Sequence, residues 1–187
     1  MPEKKIIACT FAGHREVWED IANELEETIL LMIEDERVSR FYIGENGEFD
    51  ALCAKTVRRI KKTRYSHVEL ILVQPYMMQH LNELREQYAG FYDDILVPEE
   101  SDIAHPKQAI TRRNRWMVDH ADVLIAYLRR DFGGAWQTFC YAHRQKKYLW
   151  TVGRGGPVRD KLLSMYMDND GHRPSRVHET AVHPALT

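Results

Sequence analysis

The chain has 187 residues and 22.0 kDa, 44% hydrophobic and 29% charged, enough for one well-buried domain and too apolar for global disorder. A formal net charge of −2 provides no footprint for tight, non-specific nucleic-acid binding, so nucleic acid is not an expected partner. Three scattered cysteines (Cys9, Cys53, Cys140) without a CxxC exclude a disulfide framework, and no apolar run approaches the roughly 18 residues of a membrane span or the hydrophobic core of a signal peptide, so the expected setting is the cytoplasm.

The first apolar run, 5–11, has strand character and ends at Thr10-Phe11-Ala12-Gly13. His14 and Arg15 follow, and the spacing of Trp18, Ile21, Leu25, Ile29 and Met32 predicts a helix over 16–36. A second strand is expected at 40–44, then the turn Gly44-Glu-Asn-Gly47 and a helix over 48–62. That helix buries Phe49, Leu52, Cys53, Thr56, Val57 and Ile60 and shows Lys55, Arg58, Arg59 and Lys62 to water. Strands at 67–73, 94–98, 122–127 and 148–152 alternate with weaker helical patterns at 76–89, 107–120 and 134–146. Strand and helix alternating in this way predict an α/β fold: a Rossmann-like three-layer αβα sandwich with a mostly parallel central sheet. The expected domain is 1–152. Residues 153–187 read as an extension, with one short helix and a polar, breaker-rich tail.

In an open parallel sheet ligands bind beyond the carboxyl ends of the strands, so each loop there is a candidate. Gly13 allows close backbone approach, and a helix starting just beyond it would turn free N–H groups toward an anion, with Arg15 as a clamp and His14 as a hydrogen-bonding group. A tight turn followed by solvated residues explains the loop equally well. Gly44 and Gly47 permit a second close approach. Asp50 would accept bonds from a ribose or base, or complement the helix dipole. On 109–122, Arg113 and Asn114 share a face with Ile110, Met117 and Ala121. A buried guanidinium and amide need partners, so they either brace neighbouring carbonyls or contact a ligand, and Asp119 is a candidate brace. Gly133–Gly134 precedes a helix carrying Thr138, a second candidate anion cradle.

These four pieces in register, Thr-Phe-Ala-Gly-His-Arg, Gly-Glu-Asn-Gly-Glu-Phe-Asp, Arg-Arg-Asn-Arg-Trp-Met-Val-Asp-His-Ala-Asp and Phe-Gly-Gly-Ala-Trp-Gln-Thr, resemble the YpsA-like branch of the SLOG superfamily. That superfamily also holds the DNA-processing protein DprA and the LOG phosphoribohydrolases. The resemblance spans about residues 4–152. It implies a cytoplasmic, regulatory protein that binds or senses a nucleotide-derived small molecule, with no further cofactor, no membrane, and room for a protein partner. The implied pocket is Gly13, His14, Arg15, Gly44, Gly47, Asp50, Arg113, Asn114, Asp119, Gly133, Gly134 and Thr138. The LOG enzymes carry PGGxGTxxE, whose glutamate serves glycosidic cleavage; here Phe132-Gly-Gly-Ala-Trp-Gln-Thr138 lacks the proline and the glutamate.

Two alternatives stand beside this reading. One is a nucleotide hydrolase cleaving an N-glycosidic or phosphoester bond, with Asp50, Asp119 or Glu48 as general acid or base. The other is DprA-like single-stranded DNA binding, supported by Lys107, Arg112, Arg113 and Arg115 and opposed by the net charge. No metal site is expected: the nine histidines are scattered, and His67-Val-Glu69 lacks the PCxxC of zinc deaminases. Trp116 and Trp136 look exposed enough to serve a homodimer. The whole reading requires distant turns to converge on one rim of the sheet.

Overall fold

The computed structural model describes residues 7–77, 81–99 and 105–167. Six strands form one sheet: β1 (Ile7–Gly13), β2 (Val38–Ile43), β3 (Glu69–Val73), β4 (Asp94–Leu96), β5 (Val123–Tyr127) and β6 (Tyr148–Val152). Every pairing is parallel and the order is β4-β3-β2-β1-β5-β6. The fold is thus the expected α/β sandwich. A sheet covered on both faces needs apolar side chains pointing both ways, and β5, VLIAY, is buried at all five positions.

The period of two assigns each face its core. From β1, Cys9 and Phe11 join one cluster with Phe41, Leu70 and Ile125, closed by α1 (Ala22–Glu34) and α2 (Glu48–Thr63). Ala8, Thr10 and Ala12 face the other side, where α4 (Pro106–Asp119) and α5 (Gly134–Arg144) lie beside one another, while α3 (Leu81–Gln87) precedes β4. After β6, a 3₁₀ turn at Gly156–Val158 and α6 (Arg159–Met167) seat Val158 and Leu162 in the cluster of Phe139 and Trp136. The start of the predicted extension is therefore part of the α5 face; its remainder, 168–187, lies outside the described residues. No helix among the described residues is long and apolar enough to cross a membrane.

The helix expected over 16–36 begins only at Ala22. Tertiary bonds take the intervening donors: the Val17 N–H donates to Glu48 Oε2 (2.8 Å) and the Trp18 N–H to the Tyr127 hydroxyl (3.2 Å). Trp18 is consequently 74% exposed rather than part of the apolar stripe. The two tryptophans expected to serve a dimer are not free faces either. Trp136 is buried and stacked on Phe139, and Trp116 packs edge-on to Tyr42 and flat against His120.

Candidate functional site

Strand order reverses at β1, which has β2 on one side and β5 on the other, so the crevice of an open α/β sheet lies above their carboxyl ends. Gly13 closes β1 because a Cβ there would strike the Phe49 ring. His14 is buried. Its N–H donates to the Tyr127 carbonyl (3.4 Å), its ring hydrogen-bonds the Arg130 backbone, and Nε2 finds no partner among the described residues. Burial, seconded by the Arg130 charge, holds the imidazole below its usual pKa, against the pull of the backbone bond. Arg15 anchors the loop with its backbone: its carbonyl accepts the Glu48 N–H (2.7 Å), and a Cβ at Gly47 (φ 128°) would lie 2.5 Å from Arg15 Cα. The anion cradle expected beside Gly13 is therefore not built from a helix start, since α1 opens only at Ala22.

The second loop is pinned from below. A Cβ at Gly44 would collide with the Arg113 guanidinium, which is 2% exposed. Arg113 Nη1 donates to the Val73 carbonyl (2.8 Å) and Nε to Asn114 Oδ1 (2.9 Å). Burial lowers its pKa, opposed by the charges of Asp50 and Glu45. The Asp50 carboxylate accepts the Asn46 N–H (2.9 Å); burial raises its pKa, against that bond and Arg113. Asn114 Nδ2 reaches Thr138 Oγ1 (3.3 Å), which itself donates to the Gly134 carbonyl (2.8 Å). Gly133 (φ 88°) and Gly134 open α5 with no side-chain cap, and a Cβ on either would meet nothing within 4 Å.

A continuous set of contacts therefore gathers Gly13, His14, Arg15, Gly44, Gly47, Asp50, Arg113, Asn114, Gly133, Gly134 and Thr138 on one rim. Asp119 is not among them. It ends α4 at the opposite edge, where its carbonyl accepts Lys147 Nζ just before β6, and its carboxylate accepts the Tyr141 hydroxyl (2.9 Å). Glu48 and Asp50, the other two candidate acid–base residues, both hold loop N–H groups. The thiols of Cys9, Cys53 and Cys140 are pushed up by burial, which suits packing rather than nucleophilic attack.

Two cavities flank the amino-terminal half of α4 and share Ile110. One, about 270 Å³, is a groove between α4 and α5 lined by Thr111, Asn114, Arg115, Trp136, Tyr141 and Arg144. The Arg115 guanidinium lies over the Tyr141 ring at 5.4 Å, and Arg115 and Arg144 are exposed. The other, about 210 Å³, lies toward α3 and is lined by Glu45, Asn46, Gln74, Tyr76, Tyr88 and Arg113.

Charge is unevenly placed along the chain, though not cleanly by face: α2, which shares the face of α1, carries five Lys/Arg against two Asp/Glu. Residues 16–36, around α1, hold nine Asp/Glu and no Lys/Arg, whereas 105–161, the segment of α4, α5 and the start of α6, hold twelve Lys/Arg against four Asp/Glu. The net charge of −2 conceals this. It is the reason the exclusion of nucleic acid from the total charge does not hold: a basic, partly aromatic groove exists on one face.

No family model matches the chain, and no curated protein matches it. Among solved structures it is similar to DNA processing protein A from Streptococcus pneumoniae (TM-score 0.60, 16% identity, 90% of this chain, 58% of that one). It is also similar to DNA processing protein A from Helicobacter pylori, solved for its single-stranded DNA binding mode (TM-score 0.55, 16% identity, 78% of this chain, 64% of that one). The chain spans less than two thirds of either. The YpsA-like branch is thus corrected. The similar structures are DNA processing proteins, and the expectations of nucleotide sensing and of no nucleic-acid partner lose their ground with it.

Proposed function

We propose that this protein binds single-stranded DNA on its α4–α5 face. The observation that carries the reading is the groove lined by Arg115, Arg144, Trp136 and Tyr141, in a segment (105–161) with twelve Lys/Arg against four Asp/Glu. Single strands are held without sequence preference by cations tracking phosphates and by aromatic rings near the bases; this groove has exposed Arg115 and Arg144 and the half-buried ring of Tyr141, with Trp136 buried in its wall. The likeness of fold to DNA processing protein A, one of whose structures concerns single-stranded DNA binding, supports the choice of ligand. Gly133–Gly134, open and uncapped at the head of α5, leaves backbone N–H groups where the strand would leave the groove for the rim. Three unpaired cysteines suit a reducing compartment, and together with a DNA ligand they favour a cytoplasmic setting.

The test is fluorescence polarisation with a labelled oligo(dT) over about 50 to 200 mM salt. Affinity should fall steeply with salt, and Arg115→Ala with Arg144→Ala should flatten the log–log slope by roughly 0.7 for each phosphate that is no longer neutralised. Neutralising Glu24 and Glu27 on α1 should leave the slope unchanged. Absence of a complex at low salt, or equal sensitivity to the α1 changes, would overturn the reading.

A further inference from the structure

The cavity toward α3 has a different chemistry from the groove. A carboxylate, two amides and two tyrosines line it, and its Arg113 is already engaged by the Val73 carbonyl and Asn114. Such a site repels phosphate. Ile110 lines both this cavity and the basic groove, so the two are neighbours, and a base would enter it from a backbone running on the α5 side.

We propose that this cavity is a slot for one base of a bound strand, and that Glu45 selects guanine. The slot's context rests on the strand-binding reading, but its own recognition does not. Glu45 is exposed and held across the opening: Gln74 Nε2 donates to its Oε2 (3.0 Å) and the Tyr88 hydroxyl donates to it as well. Each carboxylate oxygen accepts more than one bond, so both remain able to take a donor pair. Guanine is the DNA base whose edge places two N–H donors, N1 and the 2-amino group, side by side. Adenine and cytosine offer one amino group and thymine one ring N–H. The amides of Asn46 and Gln74 supply donors for the guanine O6 and N7 acceptors on the remaining wall. Tyr76, 44% exposed, offers a ring face at the mouth for stacking, a contact that every base can make and that adds affinity without discrimination.

The experiment has two arms. In the first, oligo(dT) carrying one dG is compared with the same strand carrying one dI, which lacks the 2-amino group, and with unmodified oligo(dT). In the second, saturation-transfer NMR compares guanosine with inosine on the unliganded protein. The dG strand should bind roughly tenfold tighter than the dI strand, the size of one hydrogen bond to a carboxylate. Guanosine should give the stronger transfer, and Glu45→Gln, checked for folding by thermal melt, should erase both differences. Strands that bind with dG, dI and dT equal would overturn the slot while leaving strand binding intact. Guanosine preferred over inosine with no strand bound would uphold the slot and refute strand binding. A preference that survives Glu45→Gln would also overturn the assignment.

Discussion

Two glycine-bearing turns leave neighbouring strands, β1 and β5, and use their glycines for opposite reasons. At Gly13 the absent side chain makes room for protein: Phe49 occupies the space, and the donors that follow are bonded to Glu48 and Tyr127. At Gly133–Gly134 nothing fills the space, and α5 begins with no side chain over its first N–H groups. A glycine at a strand end therefore signals a ligand only when no neighbour claims the missing Cβ. In this molecule the turn after β1 is a joint, and the turn after β5 is an opening.

Substitutions should separate the joint from the opening. The largest effect belongs to Gly13→Ala, which cannot be accommodated without moving the base of the Phe49 side chain and should cost about 3 kcal/mol in urea unfolding. Gly47→Ala comes next. Its φ of 128° and the backbone of Arg15 against it predict a loss of about 2 kcal/mol. Glu48→Ala frees the Val17 N–H and should cost about 1 kcal/mol, read in the same titration. At the opening, Gly134→Ala should leave stability equal or raise it by up to about 1 kcal/mol, because alanine favours the helix and meets no neighbour. Its affinity for oligo(dT) should nonetheless fall. A Gly134→Ala protein as unstable as Gly13→Ala would erase the distinction.

The smallest and most specific effect is one of pH. The folded-state pKa of His14 lies below its usual value, so the unfolded chain binds the proton more readily and stability must decline as pH falls below about 6.5 toward the folded pKa. His14→Gln should flatten that decline between about pH 7 and 5. Asp50 acts in the opposite sense. Its raised pKa makes its contribution largest in acid and removes it as pH rises through the folded value, so it cannot account for a loss on acidification.

Much of the frame was legible in the linear chain. The runs at 122–127 and 148–152 and the stripe from Phe49 to Ile60 became β5, β6 and the buried side of α2, because burial on both faces and helical periodicity are local patterns. Features that depend on distant partners were not. The start of α1 shifted because Glu48, from another element, takes the Val17 N–H. Gly44 read as a place for a ligand, and the atoms that approach it are those of Arg113. Asp119 looked like a neighbour of Arg113, yet six residues of helix set them about 9 Å apart along the axis and carry the carboxylate to the far edge. Glu45, Gln74, Tyr76 and Tyr88 come from separate stretches of chain and meet only in the folded protein. Counting charges window by window, instead of over the whole chain, would have disclosed the basic segment 105–161.

That uneven placement of charge has a consequence for how the molecule meets a polyanion. With carboxylates gathered about α1 and guanidinium groups about the α4–α5 groove, the field of a phosphate chain would turn the α1 edge away before any atoms touch. Nearly neutral as a whole, it would still keep α1 turned away. Molecules set down in succession would share one polarity, each presenting its repelling flank outward.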